Sequence, residues 1–433
     1  MGGKALLFVI LGLSTTLVFV TLNFNRLSAL ASENTVEYVE YATVQNTAES
    51  GANMACNEVF RNPTWTAGYT NMSMNGCTLN VNVEVLDADL NIRRINSVAV
   101  KTIYSPYGKR SVSRKVMVTL QPSNFSKFSY YSASEGGTIY WTTGDTVWGP
   151  FHTQDYLRVN GKPVFFGRVT TQYGLVKRYY SDNPQFLDTY ESGVNMPINE
   201  DAITNLNTAA STAGFTFPGT FTYTTTNSRG KTTTVTASVD TVYLTFAGDY
   251  IKYKYRYQDS YTTVAASSFS NNGVIYANNA VLRLQGTVKG KYTVACSGSN
   301  SYGKGDIYLD DNIVYNTDPV AYSNSTDLLG IVAQNDVIVT DNDANSSDIN
   351  INASIYCQDG GFGAQNYSTR GNCGNINLVG GIIQKTRAAV GTIGTYGISS
   401  GFNKRYRYDS RLMFKAPPKY PNTGSYEILS WYE

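Results

Sequence analysis

The hydrophobic pattern opens on an unbroken apolar run. Residues 5–22 read Ala-Leu-Leu-Phe-Val-Ile-Leu-Gly-Leu-Ser-Thr-Thr-Leu-Val-Phe-Val-Thr-Leu and pass directly into a segment of helical periodicity ending near Arg61. No glycine lies between Gly12 and Gly51 and no proline precedes Pro63, so nothing interrupts a helix here. At 1.5 Å per residue that helix is about 85 Å long, and only its first third is apolar enough for lipid. Further along, Tyr41, Val44, Ala48, Ala52, Ala55 and Val59 recur at steps of three and four, one stripe on one face. Its alanines suit close packing on a second helix or a small sheet.

The period then changes from helical to alternating. Leu79, Val81, Val83 and Val85 alternate with polar residues, as do Val98 and Val100, and later Val116, Val118 and Leu120. A turn signal, Ser105-Pro-Tyr-Gly-Lys109, joins the last two runs. These predict a small antiparallel sheet over 62–127 whose apolar face the alanine stripe of the helix 1–61 can cover. From about Phe128 short β-prone stretches recur between Gly and Asn: 274–276, 292–294, 313–315, 337–339, 355–356 and 382–383. Intervals near 20 residues predict coils of a parallel β-helix over 128–433, with an antiparallel sandwich as the alternative. Residues 183–268 break the rhythm, with a short helix at 199–206 capped by Asn199 and a hairpin around 228–231. They predict an insertion that projects from the body. The expected fold is mainly β, with a long N-terminal helix, a small antiparallel sheet and a β-helical body.

Composition narrows the function classes. Charged residues are 15% of the 433-residue chain and the formal net charge is +2, which gives nucleic acid no electrostatic footprint. There are 34 Tyr against one His, so Ser/His catalysis and His-rich zinc sites are nearly excluded. His152 reads as a structural hydrogen-bonding residue. Asp145 and Asp155 do not form the acidic cluster that a polysaccharide-cleaving enzyme needs. No enzymatic activity and no cofactor are expected.

Five cysteines fit an exported chain. Cys56 with Cys77 would staple the helix to the sheet, and Cys357 with Cys373 would close a Gly-rich loop; Cys296 is left over. The alternatives are buried thiols, or Cys296 paired with Cys357 across neighbouring coils. Asp341, Asp343, Asn345 and Asp348 place carboxylates and amides as calcium loops do, but without the loop Gly and closing Glu. A polar loop capping a turn is the simpler reading. Asn71, Asn124, Asn324, Asn345, Asn352 and Asn366 are formal glycosylation sequons.

Three fates compete for the apolar run. Lys4, Arg26 and Ala29-Leu-Ala31 fit a cleaved secretory signal, but the run exceeds the usual 7–15 residues of one. A permanent single-pass anchor is the second. The third is an assembly helix whose apolar residues (Leu6, Leu7, Phe8, Val9, Ile10, Leu11, Leu13, Leu17, Val18, Phe19, Val20 and Leu22) pack against neighbouring subunits.

Particular motifs carry a resemblance. Thr47-Ala-Glu-Ser-Gly-Ala-Asn-Met-Ala55 resembles the helix-end signature of PilX-type minor-pilin-like proteins. Gly149-Pro-Phe-His-Thr-Gln154, Pro163-Val-Phe-Phe-Gly167, Tyr308-Leu-Asp-Asp-Asn-Ile-Val-Tyr315, Leu329-Gly-Ile-Val-Ala-Gln-Asn-Asp336 and Tyr426-Glu-Ile-Leu-Ser-Trp-Tyr-Glu433 resemble a bacterial family of uncharacterised, pilin-like surface proteins with a β-helical body. The resemblance implies export through type IV pilus-like machinery, insertion in the inner membrane before assembly, and a place in an extracellular filament. Implied partners are copies of itself and other pilin-like subunits, with a surface or glycan ligand as a further candidate. A non-polymerising adhesin is the alternative. Type IV pilins usually carry Glu at the fifth mature position; here residues 5–22 hold no carboxylate.

Overall fold

The computed structural model describes residues 2–88, 91–105, 108–322, 324–394 and 397–433. The chain divides into two units, 1–122 with 425–433 and 123–424.

The first unit is built on one helix, Gly2–Arg61, and a five-stranded sheet. Strands Tyr69–Met74, Cys77–Asp87, Ile92–Ser105 and Gly108–Asn124 run antiparallel in chain order. Leu79, Val81, Val83, Val116, Val118 and Leu120 point to one buried face as their alternation predicts. In the third strand the phase is the opposite of that expected, Ile95, Ser97 and Ala99 facing the core while Val98 and Val100 lie on the other side, and Val85 is exposed. Onto it packs the helix stripe, with Val44, Ala48, Ala52, Ala55 and Val59 fully buried. At Gly51 the approach is closest, because an added Cβ would lie 2.6 Å from Ser97 Oγ and 2.7 Å from a Leu79 methyl. Ser97 Oγ donates to Ala48 O at 2.7 Å, so the sheet hydrogen-bonds the helix backbone directly. Ser105 pairs with Gly108 across the expected turn, whose Pro106 and Tyr107 lie outside the described residues. The fifth strand, Asn422–Tyr432, comes from the far end of the chain and was not foreseen. Tyr426 is buried in the same core.

The second unit is a stack of parallel strands. In space one ladder runs Phe215–Thr216, Val274–Ala277, Lys291–Cys296, Leu328–Ala333, Ile349–Cys357, Asn372–Thr386, Tyr130–Ser134, Phe151–Thr153, Val169–Thr171, Tyr190–Ser192, every neighbour parallel. Its in-register pairing lines up one inward column: Phe215, Ile275, Val294, Ile331, Ile355, Ile382, Tyr130, Phe151, Val169 and Tyr190. Successive rungs stand about 4.8 Å apart, so each apolar side chain is covered mainly by the rungs above and below. A second ladder joins Thr241–Gly248, Val281–Val288, Ile307–Tyr315, Val337–Val339 and Phe362–Ala364. A third continues through Asn372–Thr386, Gly397–Arg407, Thr146–Trp148, Val164–Phe165 and Gln185–Phe186.

Spatial order therefore departs from chain order. The early strands 130–192 sit on top of the last strands of the 215–407 segment, and the chain must return down the stack between them. Helix Ala202–Ala213 makes the lower part of that return, after residues 193–201 have passed the upper rungs. Its twelve residues rise about 18 Å, close to four rung spacings. Ala202, Ile203, Leu206 and Ala210 pack along Val274, Tyr276, Ala295, Val332, Tyr356 and Ile383. Ile203 N donates to Gln358 Oε1 at one level, and Asn272 Nδ2 to Ala209 O at another. The helix begins three residues later than expected, because Asn199 Oδ1 accepts from Asp201 N in a turn ahead of it.

The projecting insertion expected over 183–268 needs correction. Gln185–Phe186 and Tyr190–Ser192 are end rungs, and Phe215–Thr216 and Thr241–Gly248 are rungs at the opposite end. Only the hairpin Thr220–Thr226 with Thr232–Ser238 forms a separate two-stranded sheet. Tyr250–Tyr255 and Thr262–Ala265 continue antiparallel from Thr241–Gly248, covering an edge that would otherwise be open.

Gly51→Val should lower the stability of the first unit by about 1–3 kcal/mol through overpacking against Ser97 and Leu79. The check is the urea midpoint of the full chain in detergent. Gly12→Val, where nothing lies within 4 Å, should leave it unchanged.

Candidate functional site

The helix changes character along its length. Its C-terminal half is bound to the sheet through the buried stripe and through charged flanks. Glu40 pairs with Lys101, Glu37 with Arg110 at 2.7 Å, and the Arg110 and Arg114 guanidinium groups lie over the Tyr41 ring. The N-terminal half packs on nothing in the described chain. Leu6, Leu7, Phe8, Val9, Ile10, Leu11, Leu13, Leu17, Val18, Phe19, Val20 and Leu22 are each more than half exposed, from 56% at Ile10 to 71% at Phe8. At 100° per residue, such consecutive positions make the surface apolar all round, which suits lipid or a ring of other helices.

The polar groups of this half are already satisfied. Ser14 Oγ donates to Ile10 O at 2.8 Å, Thr15 Oγ1 to Leu11 O and Gly12 O, Thr16 Oγ1 to Gly12 O, and Thr21 Oγ1 to Leu17 O. A dry environment costs these hydroxyls little, because they bring their own acceptors. Gly12 adds a bare spot where a neighbouring backbone can approach closely. By length and composition the helix can cross a membrane.

The expected disulfides are not formed: all five cysteines are buried and unpaired. Cys56 and Cys77 share the core of the first unit, with Cys77 Sγ 3.8 Å from Asn75 O. Cys373 Sγ lies 3.6 Å from Gly371 O, and Cys296 Sγ donates to Ala280 O at 3.0 Å. The alternative bridge between Cys296 and Cys357 fails on the ladder itself. Ala333 sits between them in register, two rungs or about 9.6 Å of separation, beyond disulfide reach. Burial pushes the Cys56 thiol up to about 11 and Cys296 up to about 12, with Cys357 well above its ordinary value.

The calcium candidates are engaged by the protein. Asp348 accepts from Asn375 N and Nδ2, and Asp341 from Asn366 Nδ2. Asn345, fully buried, donates through Nδ2 to Leu309 O and Thr340 O, tying one rung to the next. Asp343 offers its backbone carbonyl to Ser346 Oγ. Among the described residues no three His, Cys, Asp or Glu side chains converge as a metal site. Of the sequons, Asn345 and Asn352 are buried. His152 stacks on Tyr131 with centroids 5.4 Å apart, one ring nitrogen 2.7 Å from Thr170 Oγ1 and the other 2.9 Å from Gln154 Oε1. Burial holds its pKa below the ordinary value.

Sequence reasoning missed the buried charges. They lie at the seam where the Tyr130–Ser134 rung meets the Asn372–Thr386 rung. Glu135, fully buried, accepts from Arg387 Nη1 at 2.7 Å, Tyr130 Oη at 2.7 Å, Ser132 Oγ at 2.6 Å and Trp141 Nε1 at 3.1 Å. Asp145 pairs with Lys404 at 3.1 Å, and Gln384 Nε2 donates to Tyr130 Oη. The Arg387 guanidinium also covers the Trp141 ring at 4.2 Å. Partners so distant in the chain leave no local signal.

No family model matches the chain, and no curated protein does. Among solved structures it is similar to the competence-associated pilin ComZ from Thermus thermophilus, at 11% identity and a TM-score of 0.38, over 90% of this chain and 97% of that one.

Three outcomes follow from these interiors. Alkylation in urea without reductant should modify all five cysteines, while the native chain at pH 8 resists; a bridged Cys56–Cys77 or Cys357–Cys373 peptide would contradict this. The raised thiol pKa values stabilise the fold below the ordinary thiol range, and that contribution declines as pH climbs from about 9 toward 11. At the seam, Glu135→Leu should cost about 3–5 kcal/mol by stranding Arg387, and adding Arg387→Met should restore much of it, read from urea midpoints.

Proposed function

We propose that this chain is a structural subunit of an extracellular, type IV pilus-like filament. The observation that carries the reading is the split helix: 37–59 is bound to its own sheet, while 6–22 is apolar on every side and covered by nothing in the described chain. In the proposed cycle the apolar half waits in the inner membrane and then packs among equivalent helices in the fibre. The three parallel ladders support a second reading, that the body is a parallel β-helix displayed on the filament surface. The role is structural, without a catalytic step or a required cofactor.

Energetics constrain how assembly would work. Fully burying a Leu or Phe side chain from water is favourable by about 1.5–3 kcal/mol, so twelve such residues cannot remain in water. Lipid satisfies them equally well. Moving the helix from bilayer to fibre therefore gains little hydrophobic free energy, and must draw on close packing and on the export machinery. No carboxylate in 5–22 is present to neutralise a neighbour's N-terminal amine, which suits a minor or divergent subunit.

Material sheared from cells should contain filaments that carry this chain with residues 4–22 retained, by negative-stain microscopy and N-terminal sequencing. Leu13→Asp should abolish incorporation without changing the folded body. A mature chain beginning at Ser32 would remove the assembly surface and overturn the proposal.

A further inference from the structure

The third ladder carries an unassigned pocket on its outer face. In register, Asn377 pairs with Arg405 and Val379 with Arg407; one rung further, Arg405 pairs with Thr146 and Arg407 with Trp148. Over these rungs lies a cavity of about 650 Å³, walled by Trp148, Asn377, Arg405, Arg407, Tyr408 and Val320. Its lining includes two arginines and no carboxylate. Neither guanidinium makes an ion pair within 4.0 Å among the described residues; Asp348, whose carboxylate feels Arg405, is held by Asn375 and Asn377. Trp148 is 40% exposed and stacks flat on Phe166, centroids 5.1 Å apart, so a broad aromatic surface stands beside the arginines.

We propose that this pocket binds the uronate-type, carboxylate-bearing sugars of an acidic polysaccharide. Neighbouring guanidinium groups that make no direct ion pair recognise carboxylates through bidentate, charge-assisted hydrogen bonds. The aromatic surface takes the apolar face of a pyranose ring, and Asn377, whose Nδ2 donates to Asp348 and Asn350, keeps its Oδ1 to accept from a sugar hydroxyl. The outward row continues beyond the pocket from Arg407 and Trp148 through Phe166, so a chain ligand finds further contacts along the stack. Nucleic acid fits less well: the chain's net charge is only +2, without the extended basic track that a phosphate backbone selects. The site lies wholly within residues 148–408 and does not depend on whether the helix polymerises.

The test is calorimetric titration of the full chain in detergent with trigalacturonate, alongside maltotriose and an oligothymidylate. Saturable, salt-sensitive binding of trigalacturonate is expected, with little binding of neutral maltotriose. Arg405→Gln and Arg407→Gln should each weaken it about tenfold or more, as expected for loss of a hydrogen bond to a charged group. Trp148→Ala should weaken it too, and urea midpoints confirm that each variant folds. No saturable binding, equal binding of maltotriose, or affinity that survives both arginine substitutions would overturn the proposal. So would tighter binding of the oligothymidylate that is lost in the same variants.

Discussion

Apolar surface on a one-dimensional element can be buried only by whatever lies beside it, and that constraint governs both units. No single rung of the body has a core. The column from Phe215 to Tyr190 becomes one because each residue stands on its neighbour's backbone register. The helix obeys the same rule in two ways. From Val44 to Val59 it is covered by Leu79, Ile95, Val116 and their neighbours; from Leu6 to Leu22 no part of the described chain covers it.

Stacking also needs its ends and joints settled. The edge at Thr241–Gly248 is settled by antiparallel strands, which blunt a template for further pairing. The joint between Ile382–Thr386 and Tyr130–Ser134 is settled by charges, Glu135 with Arg387 and Asp145 with Lys404. Buried pairs like these add little net stability over apolar substitutes, but they penalise a wrong partner or a slipped register severely. A role in specifying which rung stacks on which fits their place at a junction made by strands some 250 residues apart, as Arg387 and Glu135 are. The early rungs 130–192 lack that lower neighbour until the chain is nearly complete, a topology that favours slow closure.

What the sequence made legible follows from how local each signal is. The helix, its alanine stripe and the alternating strands 77–120 depend on spacing within a few residues, and most of their buried sets match the pattern. The exceptions are Val85, which is exposed, and Val98 and Val100, whose strand buries Ile95, Ser97 and Ala99 instead. Strand existence in the body was legible for the same reason. Strand order was not, because parallel pairing runs through the backbone and leaves Tyr130 with no mark of its partner Ile382. The return helix Ala202–Ala213 looked like part of an excursion, since its apolar residues Ile203 and Leu206 are few and its partners are distant rungs. Cysteine spacing misled for a related reason: Cys357 and Cys373 flank one loop in sequence but point into a core in which each thiol already has a carbonyl neighbour or apolar packing. The Trp148 and Arg405 pocket was invisible, being assembled from residues far apart in the chain.

A helix half that its own chain leaves uncovered is the feature on which the functional reading stands, and thiol accessibility tests directly whether something else covers it. Phe19→Cys and Leu13→Cys add reactive positions to a chain whose own five thiols are buried. Thr225→Cys, on the exposed Thr220–Ser238 hairpin, supplies the reference. In membranes and in sheared filaments a membrane-impermeant maleimide should label position 225 and leave positions 13 and 19 unreacted, with reactivity appearing once the material is dissolved in urea. Labelling of positions 13 and 19 at the rate of position 225 in the mature, folded protein would show the helix face open to water, and would contradict an assembly role.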